Sequence, residues 1–502
     1  MKMKKIVFLP LDERPCNYGF PAFLSEENPA YRLVRPSLDL LGRKKQAADC
    51  DALASFLREE CKDADYLVAS VDMLLYGGIV PSRLHHLDEQ TLRGRLDLLD
   101  ELKANNPALK IYAFSLIMRC PSYSSADEEP DYYDVCGREI FLRGQAEHKY
   151  AEGVISEGEY LAEVARTQEK IGNNLSDYLF RRERNLTMVL EALKKVGGTI
   201  DKFIIPQDDS NPYGYTAIDQ GKVKAFIAAN AVPEVDMYPG ADEVGLTLLS
   251  AVVTDIEEYQ PKICPVYPNE ACKKVIPLYE DREVEKSIAC QIRNAGGVLT
   301  ESEEEADILL FCNLPVGKMK NVTEAGDEGY AARNLEAYTD KMAAAQKQGK
   351  AVAAADIAYC NGGDMEWVKL ISEKAGIFNL AGYAGWNTSS KTLGTVVCQS
   401  VLHRFYGKTA THGRFLAERI FEDVGYCAHT RKYVCDNLLP GMGLDYFHAD
   451  GRKGEVSKLV KAEIERYVGA NFPEVTEKYE IDDCEMPWSR MFEVGLHVAE
   501  KK

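Results

Sequence analysis

Short apolar runs that each end in a polar turn recur along the whole chain, and this rhythm constrains the fold more than any other feature. The clearest example is Phe203-Ile204-Ile205-Pro206-Gln207, which is followed by Asp208-Asp209-Ser210-Asn211-Pro212-Tyr213-Gly214. Stretches with helical spacing separate most of these runs. Near-continuous apolar strands that alternate with helices predict a parallel sheet covered on both faces, so we expect an α/β fold.

Eight runs fit this description, at about residues 5–11, 66–73, 110–117, 203–205, 234–238, 307–312, 351–359 and 378–384. Eight such units predict a (β/α)8 barrel-like catalytic domain over residues 1–400, with its active site at the carboxyl ends of the strands. We also predict a helical insertion at about 124–198 and a mostly helical C-terminal region over 401–502. The alternative is two α/β domains, 1–259 and 260–400, divided at a proline-rich section.

Charge and composition narrow the range of partners. The formal net charge is −19, and such a surface repels nucleic-acid phosphates and anionic lipid. The 14 cysteines include no C-x-x-C pair, so we predict packed thiols and no metal site. The first apolar run is too short for a signal peptide, and no stretch has the length of a membrane-spanning helix. We expect a cytoplasmic protein without a nucleic-acid or membrane partner, and a homo-oligomer is left open.

Asp208 and Asp209 are the strongest catalytic candidates. Two close carboxylates repel each other, so the pKa of one rises while that of the other stays low, and the pair supplies a proton donor and a charge stabiliser. Turn chemistry explains a single Asp here, but two adjacent ones less easily. Because successive strand residues face opposite sides, both can serve one pocket only if the strand ends or bends there. Pro212 and Gly214 favour such a bend.

Other strand ends carry side chains that suit a sugar substrate. Trp386 offers an apolar ring face for stacking, and Asn387 beside it offers hydrogen bonds to hydroxyl groups. Several of these strand-end residues also have a structural role as their alternative to substrate binding. That role is a buried core position for Trp386, a helix cap for Asp242 or Glu243, and an internal salt bridge for Arg14. The remaining candidates for substrate binding are Asp12, Arg14, Asn17, Asp72, Tyr76, Arg119, Tyr213, Asp242, Glu243, Asp356 and Asn361.

Five of these motifs together resemble a known family. They are Pro10-Leu11-Asp12-Glu13-Arg14-Pro15-Cys16-Asn17, Asp72-Met73-Leu74-Leu75-Tyr76-Gly77-Gly78, Gln207-Asp208-Asp209-Ser210-Asn211-Pro212-Tyr213-Gly214, Tyr238-Pro239-Gly240-Ala241-Asp242-Glu243-Val244 and Ala384-Gly385-Trp386-Asn387-Thr388-Ser389. The set resembles a bacterial family catalogued as domain of unknown function 4127, over nearly the whole chain. That resemblance implies no activity.

A weaker likeness is to hexosaminidases of the O-GlcNAcase type, which are barrel enzymes with an Asp-Asp pair after the fourth strand. That likeness implies that Asp208 orients the acetamido group of the substrate and that Asp209 is the general acid. It also implies that Trp386 and Asn387 line the sugar pocket. The flanking sequence departs from that family's pattern, so the mapping is an analogy at the level of the fold.

We therefore predict a glycoside hydrolase that acts on a small glycoside or oligosaccharide, with a 2-acetamido sugar as one candidate, through two-carboxylate catalysis without a cofactor. One alternative is a divalent-metal hydrolase or lyase with ligands from Asp12, Asp72, Asp208, Asp242 and Asp356, because hard cations favour oxygen ligands. Another alternative is a cytosolic protein that binds a sugar without turning it over. The histidines do not cluster near these motifs, and no Walker loop follows a strand, so neither nucleophilic triads nor nucleotides are indicated.

Overall fold

The computed structural model describes residues 3–501, which divide into two compact units. The first unit comprises residues 3–13, 31–241 and 279–281. The second comprises residues 14–30, 242–278 and 282–501. Each unit contains its own parallel β-sheet.

The strands are numbered along the chain. They are β1 (Lys4–Leu9), β2 (Tyr31–Val34), β3 (Tyr66–Ser70), β4 (Lys110–Phe114), β5 (Lys202–Gln207), β6 (Val235–Pro239), β7 (Lys262–Val266), β8 (Val298–Leu299), β9 (Ile308–Asn313), β10 (Lys320–Asn321), β11 (Ala351–Asp356), β12 (Tyr359–Cys360), β13 (Gly382–Ala384), β14 (Tyr479–Glu485) and β15 (Gly495–Glu500).

The α-helices are numbered in the same way. They are α1 (Phe20–Leu24), α2 (Cys50–Glu60), α3 (Val71–Tyr76), α4 (Glu89–Leu96), α5 (Leu98–Asn105), α6 (Tyr133–Ala151), α7 (Glu157–Ile171), α8 (Asn174–Leu193), α9 (Tyr215–Asn230), α10 (Val244–Ile256), α11 (Val284–Asn294), α12 (Glu328–Ala331), α13 (Leu335–Lys347), α14 (Met365–Lys374), α15 (Ser389–Tyr406), α16 (Ala410–Arg419), α17 (Arg431–Asn437), α18 (Leu439–Met442), α19 (Glu455–Asn471) and α20 (Pro473–Lys478). Pro15–Gly19 and Ile420–Thr430 are π-helical, and single 3₁₀ turns lie at Pro81–Arg83, Glu270–Lys274, Ile377–Asn379 and Pro487–Ser489.

The sheet of the first unit has six strands in the order β2-β1-β3-β4-β5-β6, and every neighbouring pair is parallel. All five residues of β3 are buried, as expected for a parallel strand with both faces covered. Parallel strands place their carboxyl ends at one edge of the sheet. The residues that follow β3, β4 and β5 are therefore brought to the same edge.

The junction between β3 and α3 contains no loop. Ser70 is the last residue of the strand and also the N-cap of the helix, where its hydroxyl accepts a hydrogen bond from the Met73 N–H at 3.1 Å. A serine hydroxyl at this position satisfies a backbone donor of the first helical turn. The apolar run at 66–73 is therefore half strand and half helix, which places Asp72 in the first turn of α3.

Three long helices, α6, α7 and α8, lie in the segment at 124–198. They pack around a small apolar core of their own, which includes Tyr133, Ile140, Ile171 and Tyr178. The rings of Tyr133 and Tyr178 lie 5.8 Å apart, and Tyr178 also approaches Tyr215 of α9 at 6.4 Å. Aromatic contacts of this kind bury a large apolar area and fix the helices against the end of the sheet.

The sheet of the second unit has five parallel strands in the order β13-β11-β9-β7-β8. Its core includes Trp367 stacked on Tyr338, with ring centroids 5.7 Å apart. The strand at Lys262–Val266, which lies outside the eight predicted runs, pairs with β9 inside this sheet. After residue 400 the chain is mostly helical and ends in the antiparallel pair β14–β15, which the sequence does not predict.

The α/β class with parallel sheets is confirmed. Among residues 3–501 the strand pairings run from β2 to β6 and from β13 to β8, and they do not show the closed eight-stranded barrel. Within the same range, no helix combines the length and apolar character needed to cross a bilayer.

Candidate functional site

The end of β5 bends in the way that the acid pair requires. The strand ends at Gln207, and Asp209 adopts a left-handed conformation with φ of 44°. Few residues other than glycine take this conformation, although Asp tolerates it better than most. Gly214, with φ of 131°, is the N-cap residue that precedes helix α9. The bend overrides the alternation of a strand, so Asp208 and Asp209 are free to face the same side.

Both carboxylates converge on one guanidinium. Arg119 Nη1 lies 3.1 Å from Asp209 Oδ2 and 3.9 Å from Asp208 Oδ2. A second guanidinium, that of Arg83, donates from Nη2 to Asp208 Oδ2 at 3.1 Å. Arg119 follows β4 and Arg83 lies in the short turn after α3, so neighbouring strand ends supply both partners. The side chain of Asp208 is 7% exposed, whereas that of Asp209 is 23% exposed.

Two glutamates complete this group. Glu128 Oε2 accepts hydrogen bonds from Arg83 at 2.9 Å and from Arg119 at 3.1 Å. Glu129 Oε1 accepts from Arg119 Nε at 2.9 Å. Within residues 3–501, the other oxygen of Glu129 is buried without a hydrogen-bond partner. We call these six side chains (Arg83, Arg119, Glu128, Glu129, Asp208 and Asp209) the β5 cluster.

The charges of the β5 cluster hold each other in place. Burial alone disfavours the charged form of Arg119, but Tyr123, Glu128, Glu129 and Asp209 outweigh this effect and raise the pKa of Arg119 well above its usual value. A planar guanidinium presents five donors in a fixed geometry, so it can orient several carboxylates at once. The cluster is therefore a rigid, charged site at the sheet edge.

Asp72 lies beside the β5 cluster. Its Oδ2 accepts the Leu116 N–H at 2.9 Å, and burial raises the pKa of this carboxyl to about 7. Asp72 and Asp208 line the same small cavity. An acid with a neutral-range pKa thus stands near an ion-paired carboxylate, which is an arrangement typical of acid–base sites.

Three other predicted residues belong to the first unit. Tyr76 is buried and stacks on His85 at 4.6 Å, and its hydroxyl has no hydrogen-bond partner within residues 3–501. Tyr213 lies in the turn between β5 and α9, against the ring of His148 at 5.5 Å. Asp12 is buried just after β1.

In the second unit, Asp242 is the centre of a buried polar group. Its Oδ1 accepts from Arg14 Nη2 at 2.6 Å and from Asn17 Nδ2 at 3.0 Å, and Lys391 Nζ lies 3.1 Å from its Oδ2. Burial opposes the ionised form, but Arg14 and Lys391 prevail and hold the pKa of Asp242 well below its usual range. The adjacent Glu243 accepts a hydrogen bond from Gln291 Nε2 at 2.9 Å.

Arg14 also has an aromatic partner. Its guanidinium lies 4.6 Å from the centroid of the Trp488 ring, and Arg490 lies 4.5 Å from the same ring. Trp488 adopts φ of 56°, an uncommon conformation for a bulky side chain. The predictions name neither Lys391 nor Trp488 as a site residue. Trp488 and Arg14 lie far apart in the sequence, so no local sequence pattern indicates their contact.

Asp356, the last residue of β11, is surrounded mainly by neutral donors. It accepts hydrogen bonds from Asn313 Nδ2 at 3.0 Å, from the Tyr383 hydroxyl at 3.1 Å and from the Asp364 N–H at 2.6 Å. Burial, followed by repulsion from Asp364, raises the pKa of Asp356 to about 7. Asp364 is paired with Arg333. We call these five side chains (Asn313, Arg333, Asp356, Asp364 and Tyr383) the β11 cluster.

The remaining predicted residues lie close to β13. Trp386 is buried, packs edge-on against Phe20 at 6.0 Å and donates from Nε1 to the Thr395 hydroxyl at 3.2 Å. Asn387 and Asn361 both have positive φ, and the Asn361 N–H donates to the Asn387 carbonyl at 2.7 Å. These contacts are those of a packed turn, and they occupy the Trp386 indole N–H within the core.

The structure thus brings Asp72, Arg119, Asp208 and Asp209 together in the first unit, and Arg14, Asn17 and Asp242 together in the second. Arg83, Glu128 and Glu129 are additional members of the β5 cluster. Across residues 3–501, no group of three or more His, Cys, Asp or Glu side chains has a geometry that could hold a metal ion.

The chain matches the model of a known protein family. A family model described as "Protein of unknown function (DUF4127)" matches residues 6–497. A search of curated proteins and a search of solved structures found no match.

Proposed function

Because the chain belongs to the DUF4127 family, whose description names no activity, we propose a function from its own residues: a glycoside hydrolase that acts on a small glycoside or oligosaccharide. Hydrolysis of a glycosidic bond generally needs two carboxyl groups at the reacting centre, of which one donates a proton and the other stabilises or attacks. The carboxyl ends of parallel strands are where α/β enzymes keep such groups.

The observation that carries the proposal is the convergence of Asp208 and Asp209 on Arg119. Adjacent strand residues would normally point to opposite faces. The left-handed conformation of Asp209 removes that constraint at a conformational cost, and such costs tend to be retained where they position reactive groups. A turn with only a structural role would not need two acids oriented by one buried guanidinium.

The surroundings suggest separate roles for the two acids. Asp208 contacts both Arg83 and Arg119 and is the more enclosed, so it suits the ionised group that orients the substrate and stabilises developing positive charge. Asp209 is the more exposed and suits the proton donor. Four carboxylates around two guanidiniums repel one another, and repulsion between like charges favours retention of a proton on one of them.

A panel of aryl glycosides that includes 2-acetamido sugars tests the proposal directly. We expect turnover of at least one substrate by the wild type and a loss of about 10²- to 10⁴-fold on Asp209→Asn, which is the usual contribution of a general acid. Asp208→Asn should reduce turnover on the same substrate, and it should do so most strongly for 2-acetamido sugars if Asp208 orients that group.

Asp131→Asn is the matched control, because Asp131 belongs to the same unit and pairs only with Lys45 at the surface among the contacts of residues 3–501. This variant should keep full activity. Equal turnover by wild type and Asp209→Asn, with both proteins folded by circular dichroism, would contradict the assignment.

A further inference from the structure

Asp72 and Asp208 line one small cavity in the first unit. Besides these two acids, its polar lining includes Ser82, Arg83, Arg119 and Asn185. The space inside is sufficient for about one water molecule. A buried site of this size with several polar neighbours is the kind that holds an ordered water, whereas apolar cavities stay dry.

Asp72 is an unusual neighbour for this cavity. It is buried at the start of α3 and bonded to the Leu116 N–H, in an environment where burial raises the pKa of its carboxyl to about 7. A buried carboxyl with such a pKa carries a proton for part of the time at neutral pH. This proton is additional to the one that we assign to Asp209.

The charged groups around Asp72 come from several elements. Arg83, Arg119 and Asp208 line the same cavity as Asp72, from the turn after α3, from the segment after β4 and from the end of β5. Tyr76, on the same helix, is close enough for Asp72 to raise the pKa of its hydroxyl further after burial has done so. Burial lowers the pKa of the nearby His85 to about 4, so this ring is neutral at pH 7.

We propose that Asp72 stores a proton that Asp208, ionised at rest between Arg83 and Arg119, takes up transiently through one water held in this cavity. In the transfer, the O–H bond of the Asp72 carboxyl breaks and its proton passes to the water, which gives one of its own protons to an oxygen of Asp208. One proton moves, no electron is transferred, and the water is regenerated. Asp72 is thus a positioning residue for the acid–base chemistry that we propose for Asp208 and Asp209, and its purpose rests on that proposed function.

The coupling is measurable without any substrate. Infrared titration follows the carbonyl band of protonated carboxyl groups, and the difference between wild type and Asp72→Asn isolates the contribution of Asp72. This subtraction is needed because burial also raises the pKa of Asp356 to about 7 and that of Asp423 to about 8. We expect the Asp72 band to titrate near pH 7.

The same difference taken in an Asp208→Asn background tests the connection. Removal of the Asp208 charge relieves repulsion and removes one of the carboxylates that compete with Asp72 for Arg83, so the midpoint should fall by about one pH unit, or tenfold in proton affinity. Asp131→Asn should leave it unchanged. An unchanged midpoint in the Asp208→Asn background, or no band that depends on Asp72, would overturn the proposal.

A crystal structure of the wild type supplies a second test, which does not depend on folding of the variants. We expect one ordered water within hydrogen-bond distance of both carboxyl groups. A cavity that is dry, or whose water contacts only one of the two acids, would contradict the relay.

Failure of the proposed function would have a different signature. If no glycoside is turned over but the Asp72 midpoint depends on Asp208, the proton coupling stands and the glycosidase is wrong. If a glycoside is turned over, Asp72→Asn should shift the pH profile of kcat while leaving KM nearly unchanged, and an unaltered profile would remove Asp72 from the mechanism.

Discussion

The β5 cluster and the β11 cluster share one sequence feature, an Asp at the end of an apolar parallel strand. They differ in the groups that contact the buried carboxylate. Asp208 is held by two guanidiniums, Arg83 and Arg119. Asp356 is held by an amide, a hydroxyl and a backbone N–H, and burial raises its pKa to about 7. The first environment favours the ionised form of the resting acid, and the second favours retention of a proton. The strand-end Asp is therefore not informative alone, because its neighbours decide its chemistry.

The largest expected effect on stability distinguishes Arg119 of the β5 cluster from Arg333 of the β11 cluster. Arg119→Met removes the guanidinium that Glu128, Glu129, Asp208 and Asp209 all contact and leaves Arg83 to pair with the first three, so the free energy of unfolding should fall by about 3–5 kcal/mol. Arg333→Met in the β11 cluster removes the partner of one acid, Asp364, and should cost less. Urea denaturation of both variants measures the difference. Equal losses would mean that the number of paired carboxylates does not separate the clusters.

The next effect concerns pH. The folded-state pKa of Asp356, about 7, lies above that of an unfolded Asp, so the folded protein binds more protons between roughly pH 4 and pH 7. This stabilisation is fully present at low pH and is lost as the pH rises through 7. Relative to wild type, Asp356→Asn should therefore gain about 1 kcal/mol in unfolding free energy per pH unit from pH 5 to pH 7. A constant difference across that range would show that Asp356 is already ionised.

A smaller effect is expected at Tyr383, whose hydroxyl donates to Asp356. Tyr383→Phe removes one hydrogen bond to the ionised form of Asp356, so it should cost about 1 kcal/mol at pH 8 and raise the pKa of Asp356 further. Thermal unfolding at pH 6 and pH 8 gives both quantities. A larger loss at pH 6 than at pH 8 would reverse the argument.

The smallest effect is expected at the surface pair of Asp131 and Lys45, where the Asp131 side chain is 99% exposed. Exposed ion pairs contribute little, because water and salt screen them. Asp131→Asn should leave both the urea midpoint and its pH dependence unchanged. A measurable change would mean that the comparison between the buried clusters needs a correction for overall charge.

The parallel strands and their strand-end residues could largely be predicted from the sequence. The apolar runs at β5, β9 and β11 are close to the observed strands because a strand covered on both faces is apolar throughout. The run at 66–73 misleads, since Ser70 starts a helix inside it. Periodicity does not separate a strand from the first turn of a buried helix. The sequence also does not predict the short strand β2, because four residues are too few to show a clear strand pattern.

The strand-end pattern indicates the acid pair and Arg119 as candidates, but it does not indicate Glu128 and Glu129, which contact Arg119. Glu128 and Glu129 lie before α6 in a segment with helical spacing, and no local pattern indicates that they contact Arg119. Trp386 shows the converse. Its aromatic ring and polar sequence neighbours predict a surface for sugar stacking. In the structure the ring packs on Phe20, which is distant in the sequence, and the local motif gives no indication of that contact.

The loop-free junction at Ser70 has a consequence for anyone who alters this chain. With no spare residue between β3 and α3, an insertion or deletion of one residue would turn the helix by about 100°. Asp72 would then rotate away from Leu116 and Asp208 while the strand itself stayed paired. The number of residues between β3 and Asp72 is therefore fixed by the structure, and an insertion or deletion there should be more harmful than a substitution.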